Sequence, residues 1–405
     1  SFLFFGINKI KSNPSEAASL PTGPETVLLV ELGSDDHLDE ILPLLARFGA
    51  RAQRAFPQVD LSEHQDLAQV YRIQVPESHA KALKAALRAD AENVDYVARD
   101  RELTLWPLQD AATPARRPAP APTDDPRIGE QWALEATGGL VALERLKTLR
   151  PVRRARLAIV DTGIDGSHED LDTDPATRDP LGHGTHCAGI AAALADNGKG
   201  IASFNVGGRW IELRSYPALG HTGGGTLSAI AHAIIQAGED RCDVISLSLG
   251  APALLDGDRV LELAVAYARS LGSIVVAAAG NESLPARGFI PAGLAGVVCV
   301  TATGPDGRAA GFTNTTAGVG QPLAAPGVDI LSLRPGSGYI AAKGTSMACP
   351  YVAGTLAIVR ALRPGITADA AYDLLARTAA DHPDAPRIGR LIRVDRVLQA
   401  LAGGA

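Results

Sequence analysis

Apolar and polar positions alternate with strand and helix periods along this chain, and a proline-rich stretch divides it. Thr26–Leu32 predicts a strand, and His37–Phe48 predicts a helix with Leu38, Ile41, Leu42 and Leu45 on one face. Ala50–Phe56 and Val70–Val75 predict strands, Ser78–Arg88 a second helix and Val94–Arg99 a last strand. The order βαββαβ is that of an α+β, ferredoxin-like split unit, assigned to residues 25–108. Residues 1–24 show no periodicity and read as a disordered lead-in. Residues 109–124 carry Pro114, Pro118, Pro120 and Pro122 and predict an extended, exposed linker open to proteolysis.

From Asp125 to the end, residues 125–405, longer elements alternate. Arg156–Val160 predicts an apolar strand ending at Asp161, Gly184–Ala195 a small-residue helix and Thr226–Ala237 another helix. Val244–Leu249, Ser273–Ala278 and Val297–Thr301 predict buried strands, with a helix over Arg259–Ser270. Strands alternating with helices predict an α/β domain with a doubly wound parallel sheet. Active residues are then expected at the C-terminal edge of the sheet, where strands meet helix starts.

A length of 405 residues exceeds one typical core, which agrees with two domains. A net charge of -7 gives no reason to expect nucleic acid as a partner. No apolar stretch approaches a bilayer-spanning length, and Phe2 to Ile7 is too short for a signal peptide. Cys187, Cys242, Cys299 and Cys349 lack CxxC spacing and sit among small or apolar residues. Buried free thiols are expected, with a disulfide left open.

Four stretches carry candidate chemistry. Ala158-Ile159-Val160-Asp161-Thr162-Gly163 places a carboxylate at the tip of a strand, and Gly182-His183-Gly184-Thr185-His186 places a histidine at a helix start. Ala278-Ala279-Gly280-Asn281 puts an amide where a strand leaves the sheet. Gly344-Thr345-Ser346-Met347 puts a hydroxyl at the start of an apolar helix, beside free N–H groups and the positive end of the dipole. Singly these read as a cap, a satisfied histidine and turn residues. Together they supply every part of an acyl-transfer site.

In that order, DTGID, GHGTH, AAAGN and GTSMACP resemble the subtilisin-like serine proteases, the subtilases, from about Asp125 onward. The resemblance implies a serine endopeptidase acting on polypeptides. Ser346 would be nucleophile, His183 general base and acid, Asp161 the group orienting the imidazole, and Asn281 an oxyanion donor. No cofactor is required for that chemistry. The first unit then resembles an inhibitory propeptide, a prodomain acting as intramolecular inhibitor. Its last strand would enter the cleft, and maturation would cut between about Leu103 and Asp124, through the enzyme's own activity. Gly223, Gly224 and Gly225, with Ser248, Leu249 and Gly250, match the segments that pair with substrate backbone. Ala278, Ala279 and Gly280 would wall the pocket for the residue before the cleaved bond, and Phe289 would narrow its floor toward small or medium side chains. Asp125, Asp170 and Asn197 match the family's calcium ligands, with a solvated polar loop as the ordinary alternative. His186 and Asp165 read as structural, and Cys187 as a buried thiol. Leu181 and Tyr351 depart from the family's usual residues without touching a catalytic role. Met347, the sole methionine, adjoins the nucleophile and would make it sensitive to peroxide. A monomer outside the cytoplasm is expected, with an intracellular protein as the alternative. The rivals are a catalytically idle pseudoprotease and a hydrolase of another order, neither favoured by any residue.

Overall fold

The structure, a computed structural model, describes residues 23–60, 64–105, 109–115, 121–254 and 258–403. Nearly all of the expected lead-in lies outside these residues.

Six parallel strands form the central sheet, in the order Ile211–Pro217, Ala155–Asp161, Val244–Leu247, Ile274–Ala278, Val298–Thr303 and Gln321–Pro326. Both faces are covered, so the strands inside the sheet are largely apolar on both sides. Leu157 and Ile159 join one core with the helices His183–Ala192 and Thr345–Leu362, while Ala158 and Val160 face the helices Leu227–Glu239 and Arg259–Ser270. The period of two sends alternate side chains to opposite cores. This is the doubly wound α/β fold expected from the sequence. The first strand, Ala155–Asp161, lies between the next two parallel strands in chain order, which puts Asp161 where the winding reverses.

Thr345–Leu362 is apolar enough, over a sufficient length, to cross a membrane, yet it is a core helix almost wholly enclosed by protein. Its enclosure explains its composition: Ala348, Val352, Leu356 and Val359 all pack in the core.

The N-terminal residues form a four-stranded antiparallel sheet ordered Arg51–Arg54, Val70–Pro76, Glu25–Leu32, Val94–Arg99. Leu28, Val30 and Leu32 pack on the helices Leu38–Arg47 and Glu77–Ala89 through Ile41, Leu45, Leu83 and Leu87. Leu42 departs from the expectation: it is 43% exposed, because the buried stripe is only wide enough for Ile41 and Leu45. The other sheet face carries Leu29 and Val70 into the core of the Leu227–Glu239 and Arg259–Ser270 helices. Arg259 holds buried Glu31 with two hydrogen bonds at 3.0 and 3.1 Å, and Asp100 accepts from the Ser228 N–H (2.9 Å) and hydroxyl (2.6 Å) at a helix start.

The first residues of the expected linker are extended and exposed, and they also join a sheet. Gln109 and Asp110 pair with Lys343 and Ala342 as a strand, and Ala111 N–H donates to Ala341. Toward its other end, Thr123 is buried.

Candidate active site

Asp161 ends its strand fully buried, and its two carboxylate oxygens lie 2.8 and 2.9 Å from His183 Nδ1. The Thr162 N–H also donates to Asp161 Oδ1, at 2.7 Å. His183 is the first residue of its helix, one position earlier than the sequence pattern implies. Gly182 before it has φ +89°, a turn that a residue with a Cβ rarely makes. Burial alone would push the His183 pKa down, but the Asp161 carboxylate outweighs it and holds the imidazole well above its ordinary 6.5.

Ser346 is the second residue of the core helix Thr345–Leu362, just behind Gly344, whose φ is +151°. A Cβ at Gly344 would lie 3.5 Å from Asn281 Nδ2 and 3.7 Å from the Ser346 nitrogen. The hollow above this glycine is thus flanked by the two nitrogens expected to hold an oxyanion. The amide is oriented from behind, since the Thr345 N–H and hydroxyl both donate to Asn281 Oδ1 at 2.9 Å. That leaves Nδ2, the donor end, free of this constraint.

The helix starts of His183 and Ser346 meet across one sulfur: Cys187 Sγ lies 3.9 Å from His183 Nδ1 and 3.5 Å from the Ser346 carbonyl oxygen. One link is not made in this arrangement. Ser346 Oγ donates to the Ser248 carbonyl at 3.2 Å, and His183 Nε2 is buried with no hydrogen-bond partner among the described residues. Catalytic contacts of this kind often close only when substrate is bound.

The expected peptide-pairing segments are occupied by the chain itself. Glu102–Thr104 pairs antiparallel with Gly224–Thr226, Thr104 bridges to Gly250 on the other side, and the Leu105 N–H donates to Gly223 at 2.9 Å. A Cβ at Gly225 would stand 2.2 Å from the Ala218 carbonyl oxygen, so only glycine lets this edge lie where it does. Ser248 Oγ donates to the Ser346 carbonyl at 2.9 Å, and Leu249 is core. Beyond Ser346, the strand Gly338–Lys343 pairs with Gln109–Asp110. The chain therefore pairs both with Gly250, two residues past the Ser248 carbonyl that accepts from Ser346 Oγ, and with the strand that leads into Gly344.

Ala278 and Ala279 are fully buried, and the Gly280 N–H donates to Thr345 Oγ1 at 3.1 Å. Phe289 is buried and pairs with Pro252, two residues beyond Gly250.

Asp125 accepts from the backbone of Asp196 and Asn197, and Asp170 accepts from Asn197 Nδ2 (2.8 Å) and the Ile201 N–H (3.0 Å). Burial, with Asp125 adding to it, pushes the Asp170 carboxyl up to about 6. Asp125 is raised by burial as well. Two buried carboxylates, of which Asp125 raises Asp170, are oxygen donors of the kind Ca²⁺ takes, whereas Asn197 turns its Nδ2 to Asp170 and its Oδ1 to the Lys199 N–H (2.9 Å).

All four cysteines are free and buried. Burial pushes Cys299 and Cys349 up to about 12 and Cys242 to about 11, and it raises Cys187 despite His183 beside it. Such thiols stay protonated near neutral pH. Nε2 of His186 lies 3.1 Å from the Ile340 carbonyl, and burial followed by the His183 charge lowers its pKa to about 3, which keeps it neutral. Asp165 accepts from Ser167 and from the Gly336 N–H, a turn role. Sequence reasoning missed Asp179, Thr162 and Thr345. The available signal was an aspartate just ahead of a helix start, and a threonine directly beside each of two motif residues.

The chain matches the Subtilase family over residues 153–390. It belongs to that family. It is 42% identical over 214 residues to a thermophilic serine proteinase of Bacillus sp. (strain AK1), covering 50% of this chain and 51% of that one. The chain thus spans about half the length of that relative. With thermitase of Thermoactinomyces vulgaris it shares 39% identity over 216 residues, covering 51% of this chain and 74% of the relative. A crystal structure of the epidermin leader peptide processing serine protease of Staphylococcus aureus superposes with TM-score 0.71 at 21% identity, covering 93% of this chain and 99% of that one. At that identity the likeness is one of fold.

Proposed function

We propose that this chain is a serine endopeptidase held in a self-blocked precursor form. The observation that carries the reading is the pairing of residues 102–105 between Gly223–Thr226 and Gly250, two residues past the Ser248 carbonyl that accepts from Ser346 Oγ. A polypeptide substrate would take the same place once this strand leaves. Ser346 Oγ, turned from the Ser248 carbonyl toward His183 Nε2, would attack the carbonyl carbon while the imidazole accepts its proton. Asp161 would fix the tautomer with Nε2 free and stabilise the imidazolium. Asn281 Nδ2 and the Ser346 N–H would bind the oxyanion, and His183 would return its proton to the leaving amine. Water would then release the acyl group by the same route.

In this reading residues 25–108 are the inhibitory prodomain, and maturation is a cut between Leu103 and Asp124 by the enzyme itself. The wall formed by Ala278, Ala279 and Gly280, with Phe289, would favour small or medium side chains before the cut. Asp125, Asp170 and Asn197 would hold a structural Ca²⁺, which would neutralise the two carboxylates and take no part in the chemistry. Covalent labelling of Ser346 by a fluorophosphonate after incubation of the purified chain tests the reading. Labelling that a Ser346→Ala chain lacks supports it, and no labelling at any stage favours an idle pseudoprotease.

A further inference from the structure

Asp179 has no place in the roles above, yet it is a buried carboxylate that accepts five hydrogen bonds. Its Oδ1 takes the N–H groups of Leu181 (3.2 Å) and Gly182 (2.8 Å) and the hydroxyl of Thr162 (2.8 Å). Its Oδ2 takes the N–H (2.8 Å) and the hydroxyl (2.7 Å) of Thr185. Gly182 and Thr185 bracket His183 at the start of its helix, where free N–H groups need an acceptor.

Thr162 carries the second connection. Its hydroxyl accepts from the Gly184 N–H at 3.1 Å and also lies 3.3 Å from Asp161 Oδ1, while its own N–H donates to that same oxygen. One carboxylate therefore ties the tip of the Asp161 strand to the first turn of the His183 helix. Thr185 extends the tie, because its hydroxyl accepts from the Asp165 N–H at 2.9 Å.

We propose that Asp179 is a positioning residue, which acts through Thr162 to set the distance and orientation of the Asp161–His183 pair. The proposal rests on the triad reading. Only a carboxylate suits the place, since all five neighbours are donors. An asparagine would keep one accepting oxygen and turn an NH₂ toward N–H and O–H groups that themselves need an acceptor. The loss would fall on geometry next to the reacting atoms, where a misplacement of about 1 Å costs on the order of 10²-fold in rate.

The test uses the full chain with isotope-labelled histidine, because the proton between His183 Nδ1 and a carboxylate gives a low-field resonance even while the cleft is covered. His183→Ala assigns it. Asp179→Asn is expected to weaken or abolish that resonance and to slow fluorophosphonate labelling of Ser346 by about 10- to 100-fold. Thr162→Val, which removes the connecting hydroxyl, should act in the same direction, and Thr162→Ser should restore both readouts. A merely structural role would lower the melting temperature and leave the resonance of the folded protein unchanged. The proposal is overturned if Asp179→Asn keeps the wild-type resonance and rate, or if Thr162→Ser falls as far as Thr162→Val. Should Asp179→Asn not fold, the two Thr162 variants decide. A wild-type chain with neither resonance nor labelling would instead sink the triad reading itself.

Discussion

Leu105 donates its backbone N–H to the carbonyl of Gly223 at 2.9 Å, so the protein's own chain occupies the glycine edge expected to pair with substrate. Leu103 and Leu105 are buried in the same core as Leu219, Leu227 and Leu249. Two leucines taken out of water contribute about 1.5–3 kcal/mol each, and the strand pairing adds backbone hydrogen bonds. The cleft is therefore stably filled, and activity on added substrate should follow removal of this strand.

Replacing Asn281 with alanine should lower kcat about 10²- to 10³-fold with little change in KM. Thr345 holds the amide by its Oδ1, and in the proposed reading its Nδ2 meets charge that develops only in the transition state. Steady-state kinetics on a peptide ester with the processed enzyme checks this. An effect confined to KM would move Asn281 to ground-state binding.

The pH dependence follows from His183. Its pKa is held well above 6.5 by Asp161, against the opposing effect of burial, and general-base catalysis needs the neutral form. Activity should therefore be lost as pH falls through that raised value, with the acid limb above 6.5. Asp161→Asn should move the limb downward while cutting kcat by about 10⁴-fold. A kcat profile against pH measures both.

Chelation should matter more at neutral than at acid pH. With Asp170 raised from 3.8 to about 6, the metal-free fold is favoured by its protonated form. That contribution is fully present below pH 3.8 and lost as pH rises through about 6. Thermal melts with EDTA should show the midpoint falling across this window, and added Ca²⁺ should raise it by several degrees above the window and little below it. Equal EDTA and Ca²⁺ curves at neutral pH would leave residues 195–201 as a polar loop.

Met347 lies with its sulfur 3.7 Å from the Cβ position of Gly344, against the hollow flanked by Asn281 and Ser346. Peroxide should inactivate the processed enzyme, since a sulfoxide would set a polar oxygen beside that hollow. A Met347→Ala enzyme should resist. Met347 is buried, so oxidation should be slower before the 102–105 strand leaves.

The four motif residues were legible because their types are improbable together and each sits at an element end that periodicity locates. The sheet was less so. Ile211–Pro217 went unread because it is an edge strand whose Glu212 and Arg214 break the apolar run. Gln321–Pro326 was hidden by Pro322 and Pro326, which suit an edge strand and argue against a central one. Gln109 and Asp110 form a strand only because Ala342 and Lys343, far along the chain, stand opposite them. Asp179 follows the same rule: in sequence it is a charge beside a proline, and its burial and five donors exist only in the fold.

The most direct test is to purify the full chain and its Ser346→Ala variant, incubate both, and sequence any new N-terminus. The account predicts that the first chain alone gains one between Leu103 and Asp124 and then labels with a fluorophosphonate at Ser346. Equal processing of both chains would contradict self-cleavage. No labelling of the processed chain would contradict the enzyme itself.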